Sequence, residues 1–146
     1  MRALVQRVKW ARVEVGEKVV SAIENGLLVF LGVAVDDAAK DVDYLARKVS
    51  ALRIFYDDAG RMNLSVKDVR GGALVVSQFT LITDRSSGNR PGFSRAAPAE
   101  QARELYERFL ERMRDMGVPT QAGIFQADMV VTLANDGPVT ILLESR

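Results

Sequence analysis

The 146 residues include no cysteine and no histidine. Without cysteine the chain has no disulfide, no thiolate nucleophile and no thiolate metal site. Without histidine it has no imidazole base and no imidazole ligand, so a Ser-His-Asp triad is excluded. No ligand cluster asks for a metal, and no cofactor is expected. Long apolar runs are missing as well. The longest, Gly26 to Val35, has ten residues, against the roughly 20 needed to span a bilayer, and reads as a buried strand. Arg2, Arg7 and Lys9 are spread through the opening segment, which has no apolar h-region, so it is not read as a signal peptide and a cytoplasmic protein without membrane contact is expected. An excess of one charge is also lacking: 20 Lys and Arg against 19 Asp and Glu leave +1, which argues against strong non-specific binding to nucleic acid. Chemistry must come from hydroxyls, carboxylates, Lys or Arg, backbone dipoles, or a group carried by the substrate.

What is present is ordinary globular composition, 48% hydrophobic and 27% charged, at a length that fits a single domain over residues 1–146. Arg2 to Val35 is rich in Val, Leu and Ile and is broken at Gly16-Glu17 and Glu24-Asn25-Gly26, which predicts three to four antiparallel strands. Asp36-Asp37 caps a predicted helix from about Ala38 to Leu52, with Val42, Leu45, Ala46, Val49 and Leu52 on its apolar face. Strands are expected at Arg53–Tyr56 and Ala73–Ile82, the pair suggesting a βαβ crossover. A long loop follows from Thr83 to Ala97. Pro98 opens a second helix to about Met116, whose apolar face runs from Ala102 to Met116 and whose polar face carries an expected Glu104–Arg108 pair. Strands near Thr120–Phe125, Met129–Ala134 and Val139–Glu144 complete the chain, with Asn135-Asp136-Gly137-Pro138 turning between the last two. The order suits a layered mixed α/β domain.

Three segments are candidates for chemistry. In Ser77-Gln78-Phe79-Thr80, hydrogen-bonding side chains interrupt a buried strand just before the long loop, where sites often form, although they also suit groups satisfied by neighbouring backbone. In Asn135-Asp136-Gly137-Pro138-Val139-Thr140, Gly137-Pro138 is either an ordinary hairpin turn or a cis peptide making a rigid acceptor clamp. Arg85, Arg90 and Arg95 form either a phosphate-contacting loop or a solvated surface. Arg7, on an otherwise apolar strand, reads as a structural ion pair or as the pin of a turn.

MRALVQRV, GLLVFLGV, RIFYDDAGRMNLS, SQFTL, NRPGF and NDGPVT follow one another in the order found in D-aminoacyl-tRNA deacylases, and the chain resembles that family over nearly its whole length. The resemblance implies an α/β fold, a single three-layer β/β/α domain with mixed, largely antiparallel sheets and two main helices. It implies a homodimer with a cross-subunit active site and an aminoacyl-tRNA substrate, held by the ester on its 3′ terminal adenosine. The reaction would be hydrolysis of D-aminoacyl esters, and of glycine mischarged on tRNA-Ala, with L-aminoacyl-tRNA spared: chiral proofreading in translation. By motif match Ser77, Gln78, Phe79 and Thr80 would line the catalytic pocket. Gly137 and Pro138 of the other subunit would read chirality, Arg7 would hold their turn, and Phe125, Met129, Asn135 and Thr140 would complete the substrate site. A pocket of this kind could stabilise an oxyanion with the Phe79 and Thr80 amides and activate water through the substrate's vicinal ribose hydroxyl, leaving Thr80 as nucleophile or as pocket wall. A tRNA-binding module without hydrolysis is the alternative, and a site-free oligomeric scaffold a further one.

Overall fold

A computed structural model describes residues 1–84 and 88–145. The strands are β1 (Arg2–Val15), β2 (Lys18–Ile23), β3 (Gly26–Gly32), β4 (Phe55–Tyr56), β5 (Met62–Leu64), β6 (Gly72–Ser77), β7 (Thr120–Ala122) and β8 (Val130–Glu144). The helices are α1 (Ala39–Ser50) and α2 (Ala99–Asp115). The main sheet runs β2-β1-β3-β6-β7, with β8 along the other side of β1, while β4 and β5 pair separately. β1 is central: Val5 pairs with both Val29 and Ile141, and Ala11 with both Ile23 and Leu133. β3–β6 and β6–β7 are parallel, each connected through a helix as parallel pairing requires.

Both helices bury their expected faces. Val42, Leu45, Ala46 and Val49 of α1 and Leu105, Tyr106, Phe109, Leu110 and Met113 of α2 meet Val5, Leu27, Val29 and Val75 in one core. A second core lies across the sheet, where Val8, Ala11 and Val13 of the coiled far half of β1 close over Leu28, Leu74 and Val76. Helices, sheet and overlying β-layer make the expected three-layer α/β arrangement. Among the described residues no helix is long and apolar enough to cross a membrane.

Several local expectations are corrected. The break at Glu24-Asn25-Gly26 does not reverse the chain: Ala11 faces Ile23 and Val8 faces Gly26 in the same register, so β2 and β3 form one return strand with a kink. The cap of α1 is Ala38, whose N–H donates to Asp41 at 2.9 Å, while Asp37 accepts from the Ala34 amide at 2.6 Å instead. Arg108 pairs with Asp43 of α1 at 3.5 Å, not with Glu104, because the two helices pack side by side. The strand expected at Thr120–Phe125 stops at Ala122. The one expected over Ala73–Ile82 stops at Ser77, and Phe79–Leu81 turns as a 3-10 helix. Asn135-Asp136-Gly137-Pro138 does not separate two strands: β8 is continuous through it.

Candidate active site

Gly32, ending β3, makes room for the turn after β6. A Cβ there would lie 2.9 Å from Leu81 Cβ and 3.0 Å from the Gln78 carbonyl oxygen, inside normal contact, so the Ser77–Leu81 backbone packs directly on a glycine. The Gln78 amide still donates to Leu31 at 2.8 Å, as if the ladder continued. The chain then winds so that the Leu81 and Ile82 amides donate back to Gln78 and Phe79. The amides of Phe79 and Thr80 stand at the open N-terminal end of this turn, and among the described residues neither donates to a protein acceptor. First-turn amides are orphan donors directed outward, suited to negative charge. The Gln78 side chain donates to Thr80 Oγ1 at 2.5 Å, and Thr83 Oγ1 donates to the Thr80 carbonyl. Phe79 is 55% exposed and meets Phe93 of the long loop edge to face, with ring centroids 4.9 Å apart.

Beside this turn lies a cavity of about 520 Å³. Ser77, Gln78 and Phe79 form one wall, Ala96, Ala97, Ala99 and Ala102 another, and Phe125 to Met129 the third. The structure therefore brings Ser77, Gln78, Phe79, Phe125 and Met129 together, with Thr80 at the adjoining turn. The alanine wall and Gln126 carried no sequence signal; the position of AAPA just before an α2 face with Ala102 is the trace that could have marked them. Burial pushes the Tyr106 phenol up to about 12, opposed in part by the Gly123 amide. Its hydroxyl donates to the Val75 carbonyl at 2.8 Å, and its ring supports Phe125 at 5.8 Å. Among the described residues no three acidic side chains are grouped to hold a metal ion. Of the candidate arginine loop, Arg85 lies outside the described residues; Arg90 is exposed, and Arg95 sits 3.9 Å from Asp36, away from this cavity.

The remaining candidates form a second constellation. Gln6 pairs with Thr140 and Val8 with Asn135, so Asp136, Gly137, Pro138 and Val139 bulge opposite the single residue Arg7. Gly137-Pro138 is a cis peptide, with Gly137 at φ +147°. A Cβ on Gly137 would lie 2.7 Å from Val139 Cγ2. Arg7, only 1% exposed, donates to the Asp136 carbonyl at 2.9 Å and to the Ile54 carbonyl at 2.5 Å. The Tyr56 ring covers its guanidinium at 4.6 Å, and the Asp136 carboxylate is 3.6 Å away. Asn135 closes the bulge, accepting from the Val139 amide at 2.8 Å and donating to Val139 and Thr140 at 3.2 Å. Gly137 and Pro138 themselves are exposed. Within one chain they do not line the cavity.

Comparison with known proteins identifies the family. A protein of Geobacter metallireducens named D-aminoacyl-tRNA deacylase is 57% identical over 145 residues, covering 99% of this chain and 96% of its own. A solved structure titled c-Myc DNA Unwinding Element Binding Protein superposes with a TM-score of 0.95 at 44% identity, over 100% of this chain and 99% of its own. One titled as a probable eukaryotic D-amino acid tRNA deacylase shares the fold, with a TM-score of 0.82 at 16% identity over 98% of both chains. The model of the D-Tyr-tRNA(Tyr) deacylase family matches residues 4–144, and the chain belongs to that family.

Proposed function

We propose that this chain is a hydrolase that, as a single domain in a homodimer, cleaves the ester of D-aminoacyl-tRNA and of misacylated glycyl-tRNA while sparing L-aminoacyl-tRNA. The observation that carries the reading is the pair of Phe79 and Thr80 amides, which have no protein acceptor among the described residues, beside a cavity lined by one carboxylate, the exposed Asp128, and otherwise by neutral side chains. An aminoacyl ester is already activated, so preorganised donors for the developing oxyanion supply the main stabilisation. Water adds to the ester carbonyl, the tetrahedral oxyanion rests on the two amides, and the bond to the ribose oxygen breaks as that oxygen takes up a proton. The vicinal ribose hydroxyl relays the water proton. Thr80 does not need to attack. Its Oγ1 accepts from the Gln78 carboxamide, which is not a base, and a threonine nucleophile requires one.

Chirality is read, in this account, by Gly137 and Pro138 of a second copy. Their bulge is exposed and held by Arg7 and Asn135, so its backbone is a fixed acceptor surface. With the substrate's α-amino group on that surface, a D side chain points to open space and an L side chain into the bulge. The second copy is supported by β8, a fifteen-residue strand that among the described residues pairs only with β1. Long open edges invite a further strand. The sheet face beside it carries the aligned triple Phe30, Leu4 and Leu142, with Leu142 51% exposed. A twofold pairing there would offer each bulge to the other chain's cavity. The implied setting is the cytoplasm, where aminoacyl-tRNA is made and used.

The test is hydrolysis of matched D-tyrosyl-, L-tyrosyl- and glycyl-tRNA by the purified protein. Loss of the D and glycyl esters with the L ester retained is expected. RNA binding with all three esters intact would instead leave a binding module.

A further inference from the structure

The cavity has a cation at its rim that the reaction described above does not use. Arg103, on the exposed side of α2, stacks its guanidinium 4.8 Å over the ring of Phe125 and donates through Nη2 to Gln126 Oε1 at 3.4 Å. Both partners line the cavity. Gln126 is held at φ +65°, a left-handed conformation uncommon for a side-chain-bearing residue, and the Ala127 amide closes the turn on Ile124 at 3.2 Å. The other α2 arginines are occupied: Arg108 and Arg112 pair with Asp43, and Arg114 donates to the Thr120 carbonyl. Arg103 has no carboxylate partner among the described residues, yet its plane is fixed on two sides. A guanidinium so oriented is set to receive an anion through its remaining N–H groups.

We propose that Arg103 is a phosphate-binding residue, taking the phosphodiester that joins the substrate's terminal adenosine to the nucleotide before it. The inference rests on the deacylase reading. In this proposal the ester sits at the Phe79 and Thr80 amides, and the base and 5′ phosphate of the 3′-aminoacyl adenosine, which lie across the ribose from the ester, reach the Phe125–Met129 wall of the same cavity. Arg103 is the cation fixed against two residues of that wall, Phe125 and Gln126, so the phosphate is assigned to the rim, where Arg103 stands. Arg103 then distinguishes a polynucleotide ester from a lone nucleoside ester.

The experiment compares D-tyrosyl-tRNA with D-tyrosyl-adenosine, which carries no phosphate, using wild type, Arg103→Ala and Arg103→Lys. Arg103→Ala is expected to raise KM for the tRNA ester about tenfold with kcat little changed, as loss of one charge-assisted contact implies. It should also reduce the salt slope of tRNA binding by about 1 and leave hydrolysis of the adenosine ester as in wild type. Arg103→Lys should recover part of the tRNA KM. If Arg103→Ala slows both esters alike, Arg103 is merely a prop for Phe125 and the proposal falls; if it changes neither, the proposal also falls. Failure of wild type to cleave either ester would overturn the deacylase reading itself, and this inference with it.

Discussion

The two halves of the candidate site are built in opposite ways. The bulge at Asp136–Val139 is tied down at its base by a buried arginine, itself covered by a tyrosine ring, and by an asparagine that bonds to residues four and five ahead, while Gly137 and Pro138 stay exposed. The Ser77–Leu81 turn is held mainly by backbone, against a glycine, and leaves two amides without protein partners among the described residues. One region spends side chains to remove freedom; the other withholds them so that donors stay available. The contrast fits the proposed roles: a surface that discriminates by shape must not yield, whereas an oxyanion site needs unsatisfied donors on a fixed frame.

Substitutions can break this contrast. The largest effect is expected for Arg7→Ala, which leaves the buried Ile54 carbonyl and the part-buried Asp136 carbonyl without their donor. Stability should fall by about 3–5 kcal/mol in urea unfolding, more than any change in the turn. Gly137→Ala comes next, at about 2–4 kcal/mol, since its Cβ meets Val139 at a φ that side chains avoid. Where the variant folds, cleavage of the D ester should drop or the L ester be admitted, and wild-type selectivity would remove the bulge from recognition. Gly32→Ala strains the other half, by about 1–3 kcal/mol, and should lower kcat more than it raises KM because it displaces the Ser77–Leu81 backbone.

Smaller effects sharpen the contrast. Tyr106→Phe forfeits its hydrogen bond to Val75, worth about 1 kcal/mol. The phenol's folded pKa, raised to about 12 by burial, lies above its unfolded value near 10. Its stabilisation is therefore fully present below about pH 10 and lost as pH rises toward 12. Thermal melts of wild type should show that alkaline loss, and Tyr106→Phe should flatten it. Thr80→Ala should change least, keeping activity within about tenfold of wild type if the amides and not the hydroxyl carry the reaction. Complete loss in a folded Thr80→Ala protein, with an acyl-enzyme trapped in wild type, would establish covalent catalysis.

The helices and the cores were legible because their periodicity is local and dense: Val42 to Val49 and Leu105 to Met113 announce their faces. The departures occur where a local signal met a distant partner. Asn25-Gly26 and Asn135-Asp136-Gly137-Pro138 carry turn chemistry, yet β1 pairs on either side of each, so the first becomes a kink and the second a bulge. The partner that tolerates the bulge, Arg7, lies far away in sequence. Ser77–Thr80 was legible as an interrupted strand, but the 3-10 turn was not, since Phe79-Thr80-Leu81 continues an apolar pattern and only Gly32 permits the bend. The alanine wall of the cavity is made by small residues whose contribution is space.

The central place of β1 also bears on synthesis. β1 leaves the ribosome long before β8, yet the two pair along one whole side, Arg2 with Glu144 and Val13 with Val131. Until the C-terminal strand emerges, that side of β1 has no neighbour, and the bulge facing Arg7 does not exist. Closure of this sheet waits for β8, and such long-range pairing is slow to form. A ribosome stalled short of residue 130 would thus hold a chain able to build the helix-backed strands but not the β-layer opposite them, and the Asp136–Val139 bulge would be among the later parts of the molecule to take shape.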